Sequence, residues 1–254
     1  KVWRNIDLLE KQNKGFFARN GEVTKLIMEA VQSGELVDIY ANDSLTTKVS
    51  KDEFLSKLQQ DAGTAYDPWN PTTDYYTDDI KSYNGKNYRA LRDSQGKNPD
   101  TSPEDWSVTS EGKASYFFAN QINKLQIVED VIFDRRRSRL YYDIQGVSIA
   151  VPGSETKDGF DLVIGWFKYK DLERVFRAHP KKAVWFNRQN TAQNKNFADA
   201  FLLRLFKGVI HKIENPEDES IAEQYNARPH QEAVWAMEAA EMMLMEKEHN
   251  LWEF

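Results

Sequence analysis

The chain has 254 residues and 40% hydrophobic side chains, enough for a real core in one large domain or two smaller ones. Its 34 basic and 40 acidic side chains, with a pI near 5.4, argue against the basic surface of a nucleic-acid binder. No apolar run approaches the roughly 18 to 20 residues of a membrane helix, and the absence of cysteine removes thiol chemistry while leaving the compartment open.

The chain opens at Lys1 with no apolar signal region, which predicts a trimmed or mature segment whose targeting sequence lies outside it. Val23, Leu26, Ile27, Ala30 and Val31 then recur at helical spacing, with Gly34 as a stop, predicting an amphipathic helix over residues 22–33. ELVDIYAND reads as a short strand. Ser50, with Glu53 three positions later, forms a capping-box pattern ahead of Phe54, Leu55 and Leu58, so a second helix is expected from about Lys51 to about Asp61. From residue 66 to about residue 108 the grammar changes: prolines, two tryptophans and five tyrosines replace aliphatic periodicity, marking a separate unit. Within it YNGKNY places Asn-Gly between tyrosine-bearing segments, a strong hairpin signal.

LQIVEDVIFD and SRLYYDIQGVSIAV flank the basic turn Arg135 to Arg137, and both are β-branched and aromatic, as a hairpin demands. FDLVIGWFKY supplies a further strand, residues 197–206 are helical by pattern, and GVIHKIE is strand-like. The tail from about Pro229 to Trp252 reads as a long acidic helix. The predicted fold class is α+β, an antiparallel sheet with packed helices interrupted by a small all-β aromatic module. The expected division is a discontinuous body of residues 1–61 and 111–254 around an insert of residues 66–108.

Two stretches suggest contact surfaces. In the tail, Ala233, Met237, Ala240 and Leu244 form one narrow apolar seam, and Trp235, Met242, Met245 and Trp252 lie beyond it. Either this helix lies deep against the sheet, or a partner packs on its methionine-rich side. Met242, Met245 and Trp252 are therefore candidate partner contacts. Arg135, Arg136, Arg137 and Arg139 make a cationic tip on an acidic protein, readable as a solvated turn or as a contact for an acidic neighbouring subunit. Asn187, Asn190 and Asn194 fit a loop shaped by side-chain bonds to backbone.

No signature of catalysis stands out. His179, His211, His230 and His249 are scattered, and there is no His-Glu-x-x-His, Gly-x-Ser-x-Gly or phosphate-binding Gly-Lys-Ser/Thr pattern. Asp52/Glu53 and Asp78/Asp79 read as a helix start and a strand of the insert rather than a hydrolytic carboxylate pair. The expectation is a non-enzyme with no cofactor and no metal.

The insert resembles a small carbohydrate-binding module of the chitin-binding type, through Trp69, Asp79, Tyr83 to Lys86, Tyr88, Ala90 and a closing Ser102-Pro103-Glu104-Asp105-Trp106. That resemblance implies sugar stacking on exposed aromatic faces, with Trp69, Tyr75, Tyr76 and Trp106 as candidates. The alternative is that these rings form the module's own minimal core and the module is a spacer.

The frame around the insert carries a second resemblance. IDLLEKQN, SGELVDIYAND, IFDRRRSRLYYDIQGVSIAVP, VWFNRQNTAQNKNFADAF and EKEHNLWEF, in this order, are similar to the GldN/PorN family of gliding motility and type IX secretion. The usual Phe-Asp-Asp is here Phe197-Ala198-Asp199, and the usual Glu-His-Asp-Met-Trp is Glu248-His249-Asn250-Leu251-Trp252. The resemblance implies a non-enzymatic periplasmic subunit at the inner face of the outer membrane. Its implied partners are a GldK/PorK-like lipoprotein, in a large ring, and a GldM/PorM-like protein, with glycan or peptidoglycan as a further ligand of the insert. The alternative is a secreted or periplasmic carbohydrate-binding protein, an adhesin or hydrolase accessory.

Overall fold

The computed structural model describes residues 1–61, 66–109, 115–226 and 228–251. The chain divides into two compact units, Lys1–Ser56 with Phe118–Phe254, and Lys57–Phe117. The larger unit, the body, is built on a seven-stranded sheet. Its strand order is Val209–Ile213, Val2–Asp7, Lys124–Asp134, Arg139–Val151, Leu162–Lys168, Ile39–Tyr40 and Lys48–Val49, every neighbour antiparallel. With its helices this is the α+β class.

The centre of the sheet is the long hairpin, where β-branched residues on both strands favour the extended chain. Its register runs from Lys124 opposite Ala150 to Asp134 opposite Arg139, with a bulge at Val128/Glu129. Ile127, Val147 and Ile149 are buried along it, and Ile164 and Phe167 on the adjoining strand Leu162–Lys168. Helix α1, Val23–Ser33, stops at Gly34, whose φ of 81° is the left-handed conformation glycine adopts without penalty. Glu22, expected as the first helical residue, is the N-cap instead.

Helix α2, Lys51–Lys57, is shorter than expected. Ser50 Oγ accepts from the Glu53 N–H at 3.2 Å, as the capping pattern predicts, but Gln59–Asp61 leaves the helix and pairs as a strand with Ser115–Tyr116. A ladder partner outside the local sequence decided that boundary. Helix α3, Tyr169–Ala178, buries Leu172, Val175 and Phe176 and follows directly on the strand Leu162–Lys168. Helix α4 covers only Phe197–Leu202 of the expected 197–206. Arg204 takes a φ of 51°, and the Leu205 N–H reaches back to the Ala200 carbonyl, so the chain turns out of the helix there. Phe16, Phe176, Phe197 and Phe201 interlock at centroid distances of 4.8 to 6.2 Å and tie α3 and α4 together. Helix α5 is Ile221–Gln224, and α6 is His230–Asn250.

The smaller unit holds a three-stranded sheet, Trp106–Thr109, Lys86–Ala90 and Ile80–Tyr83. Tyr83 pairs with Lys86 around Asn84 and Gly85, whose φ values of 49° and 71° are the two positive angles a tight two-residue hairpin turn needs.

Candidate interaction surface

Helix α6 has 21 residues, so it runs roughly 31 Å at 1.5 Å per residue. Its inner line is Ala233, Ala240 and Leu244, all buried, with Ala236 and Met237 half-buried beside them. Small alanines let the helix approach Val2 and Ile210 on the sheet and Ile221 on α5. The opposite side carries exposed Glu238 and Glu246 but also large apolar groups. Trp235, Met242 and Met245 are 63%, 70% and 64% exposed, and Val234 and Met243 are also open. A surface helix ordinarily carries one apolar stripe. Here the apolar residues lie on two opposite sides, and one of them is covered by the body.

Beside the helix the outer apolar side runs into a groove of about 550 Å³, lined among others by Arg4, Arg204, Phe206, Met237, Glu241 and Met245. Its floor is an ion network drawn from four distant segments. Glu129 is fully buried at the hairpin bulge, where it accepts from Arg4 Nε at 3.0 Å and from both terminal nitrogens of Arg204. Arg4 Nη1 also donates to Glu241 Oε1 on α6 at 2.6 Å and to the Gly208 carbonyl at 3.4 Å. Tyr142 places its ring 5.6 and 4.5 Å from the two guanidinium carbons. Burial works against the Arg4 charge, but Glu241 and Glu129 outweigh it and raise its pKa, so Arg4 stays a cation. The network thus clamps α6 to the sheet through Glu241 while the methionines stay outside.

The expected contact residues fall in different places. Met242 and Met245 are exposed on the outer side of α6, and Trp252 lies outside the described residues. Arg135, Arg136 and Arg137 are exposed at the hairpin turn, where Asp134 Oδ1 accepts the Arg136 N–H at 2.9 Å and Arg137 Nη1 donates to Tyr141 Oη at 3.4 Å. The Asn190 side chain accepts from the Ala192 N–H at 3.1 Å and that of Asn194 from the Asn187 N–H at 3.0 Å, shaping that loop.

In the smaller unit the aromatic candidates separate. Tyr75 and Trp106, expected as sugar platforms by resemblance, are each 2% exposed and form the core with Tyr88 and Ala90. Their rings meet edge to face at 5.2 Å, and Trp106 Nε1 donates to the Lys97 carbonyl at 3.0 Å. A unit this small has no aliphatic layer to spare, so its largest rings must pack inward. Trp69 is half-buried and edge-on to Tyr83, and Tyr76 is open.

Sequence reasoning missed the Arg4–Glu129–Arg204–Glu241 network, since nothing local links those positions. A charged residue inside the apolar run LQIVEDVIFD was the available signal. Among the described residues no group of three or more His, Cys, Asp or Glu side chains could hold a metal ion, and no helix is long and apolar enough to cross a membrane.

Fold and surface together define an α+β body carrying a small aromatic β unit. Residues 1–253 match the family described as gliding motility associated protein GldN, and the chain belongs to that family. It is thereby a component of gliding motility and type IX secretion. No curated protein matches the chain.

Proposed function

We propose that the protein is a non-catalytic periplasmic subunit of the type IX secretion apparatus that assembles with a GldK/PorK-like lipoprotein into a ring at the inner face of the outer membrane. A GldM/PorM-like protein is its second neighbour. The observation that carries this reading is the two-sided helix α6, apolar toward the body and again toward solvent. Large exposed apolar side chains on a surface helix invite a cover, and flexible thioethers suit a protein partner. The test replaces Met242 or Met245 by Asp. Both variants are expected to keep the wild-type melting transition and to lose copurification with the lipoprotein. Failure of both to fold would return these methionines to the core and remove the surface.

A second reading concerns the insert as a separate domain, residues 66–108, holding glycan or spacing the body from its neighbours. Open Tyr76 and half-open Trp69 favour it. Titration with N-acetylchitotetraose decides: saturable binding lost in Tyr76→Ala supports the glycan role, and none leaves the spacer.

A further inference from the structure

The long hairpin outruns its neighbours. The strand Val2–Asp7 pairs with Lys124–Asp134 only as far as Glu129, and Leu162–Lys168 pairs with Arg139–Val151 only from Gly146 onward. Beyond those points the hairpin continues as a two-stranded arm, from Asp130 opposite Asp143 to Asp134 opposite Arg139. On one face of the arm Val131 and Tyr142 pack into the cluster under α6. The other face presents Ile132 and Tyr141, directly opposed and 51% and 41% exposed.

Among the described residues the stretch 139–145 has no strand partner on its outer side. An edge of this kind is a template for another strand. Alternate residues of an antiparallel ladder turn their N–H and C=O to the same side. The Leu140 N–H goes to Glu248 Oε1 at 3.1 Å rather than to the other hairpin strand, so Leu140, and by alternation Tyr142, turn their backbone to the outer edge, which Glu248 caps at Leu140. Arg139, Tyr141 and Asp143 then share the face turned away from α6, in the order basic, aromatic, acidic.

We propose that this edge pairs with the same edge of a second copy of the chain, antiparallel about a two-fold axis through Tyr141. In that register Leu140 of each copy lies opposite Tyr142 of the other, so outward backbone groups meet outward backbone groups. Arg139 of each lies opposite Asp143 of the other, twice, and Tyr141 meets itself. Opposite charges across a ladder stabilise it and like charges oppose it, so the order basic, aromatic, acidic is complementary to its own reverse. The other strand of the arm carries Asp130, Ile132 and Asp134 on that face, acid at both ends, and repels itself in the same arrangement. Charge therefore selects both the occupant, a second copy, and the strand. Pairing exchanges the Glu248 carboxylate on Leu140 for a strand carbonyl. The contact is isologous and closes as a pair, and although it displaces Glu248 it does not use Met242 or Met245, so it stands without the methionine-bearing side of α6.

The absence of cysteine makes the test clean. Tyr141→Cys puts a single thiol on the axis, where facing Cα atoms about 4.5 to 5.5 Å apart lie within disulfide reach. Copper-phenanthroline oxidation of the full chain is expected to give a covalent dimer with Tyr141→Cys and none with Ile132→Cys, equally open but on the other strand. By sedimentation, Arg139→Asp should weaken self-association about tenfold or more, and Arg139→Asp combined with Asp143→Arg should restore it. Wild-type chain that stays monomeric at about 100 μM, a charge exchange that restores nothing, or equal crosslinking through Ile132→Cys would each overturn the pairing.

Discussion

The body buries layers of aliphatic side chains alongside a cluster of phenylalanines, whereas the insert has a core of rings and one alanine. In the body, Ile127, Ile149 and Ile164 lie in the sheet, α2 adds Phe54 edge-on to Phe167 at 5.9 Å, and α6 closes the far end over Val2 and Ile210. In the insert, Tyr75, Tyr88, Ala90 and Trp106 are the core, and polar staples surround it: Trp106 to the Lys97 carbonyl, Tyr88 to Asp100, and Asn84 to Asp100 at 2.8 Å. The difference is one of size. A short chain cannot stack two layers, so Tyr75, Tyr88 and Trp106 supply both buried area and a hydrogen bond. The body has area to spare and uses its buried charges for a different end, fixing a helix in place.

Each unit can be destabilised without the other. Trp106→Ala removes the largest ring of the insert and should cost about 3–5 kcal/mol, read as lost protection of insert amides in hydrogen exchange while the long hairpin stays protected. Loss of protection in the hairpin too would make the two units one cooperative body. Glu129→Ala takes the shared carboxylate from Arg204 and leaves Arg4 only Glu241 and the Gly208 carbonyl, which should destabilise the body by about 3 kcal/mol in urea titration, with the insert unaffected. A smaller effect follows from His211. Burial, then the neighbouring Lys212, lowers its pKa to about 4. Its folded pKa lies below its unfolded value, so protonation favours the unfolded chain, and stability is full above pH 6.5 and falls as pH drops toward 4. The loss reaches about 3 kcal/mol at most, and His211→Gln should flatten that part of the profile. At the hairpin turn of the insert, Gly85→Ala meets no steric neighbour but must hold a φ of 71°, which predicts a loss of about 1 kcal/mol confined to the insert. Smallest of all, Met242→Asp should leave chemical stability within about 0.5 kcal/mol of wild type, because the side chain is 70% exposed.

The legible parts were those whose cause is local. Asn84-Gly85 predicted its hairpin, Gly34 its helix stop, and the β-branched and aromatic runs either side of Arg135 to Arg137 the central hairpin. The seam Ala233, Ala240 and Leu244 marked the covered side of α6. Helix α3 was not read from the sequence, although Leu172, Val175 and Phe176 carry its spacing, because the strand ahead of it runs into it without a break and masks its start. Of the candidate surface, the sequence pointed to the excess apolar groups on α6 and stopped there. Which of those groups lie beside the groove depends on Phe206 and Arg204, more than thirty residues upstream of Met242.

Local chemistry determined most of the longer elements, the tight turns and the α+β class, because backbone preferences and side-chain periodicity act over a few residues. The tertiary structure decided what distant residues do to one another. It ended α2 early by offering Gln59–Asp61 a strand partner, and it turned Trp106 and Tyr75 inward because a small unit has no other core. It also drew Arg4, Arg204 and Glu241 onto Glu129, since a carboxylate removed from water must find cations wherever the chain brings them.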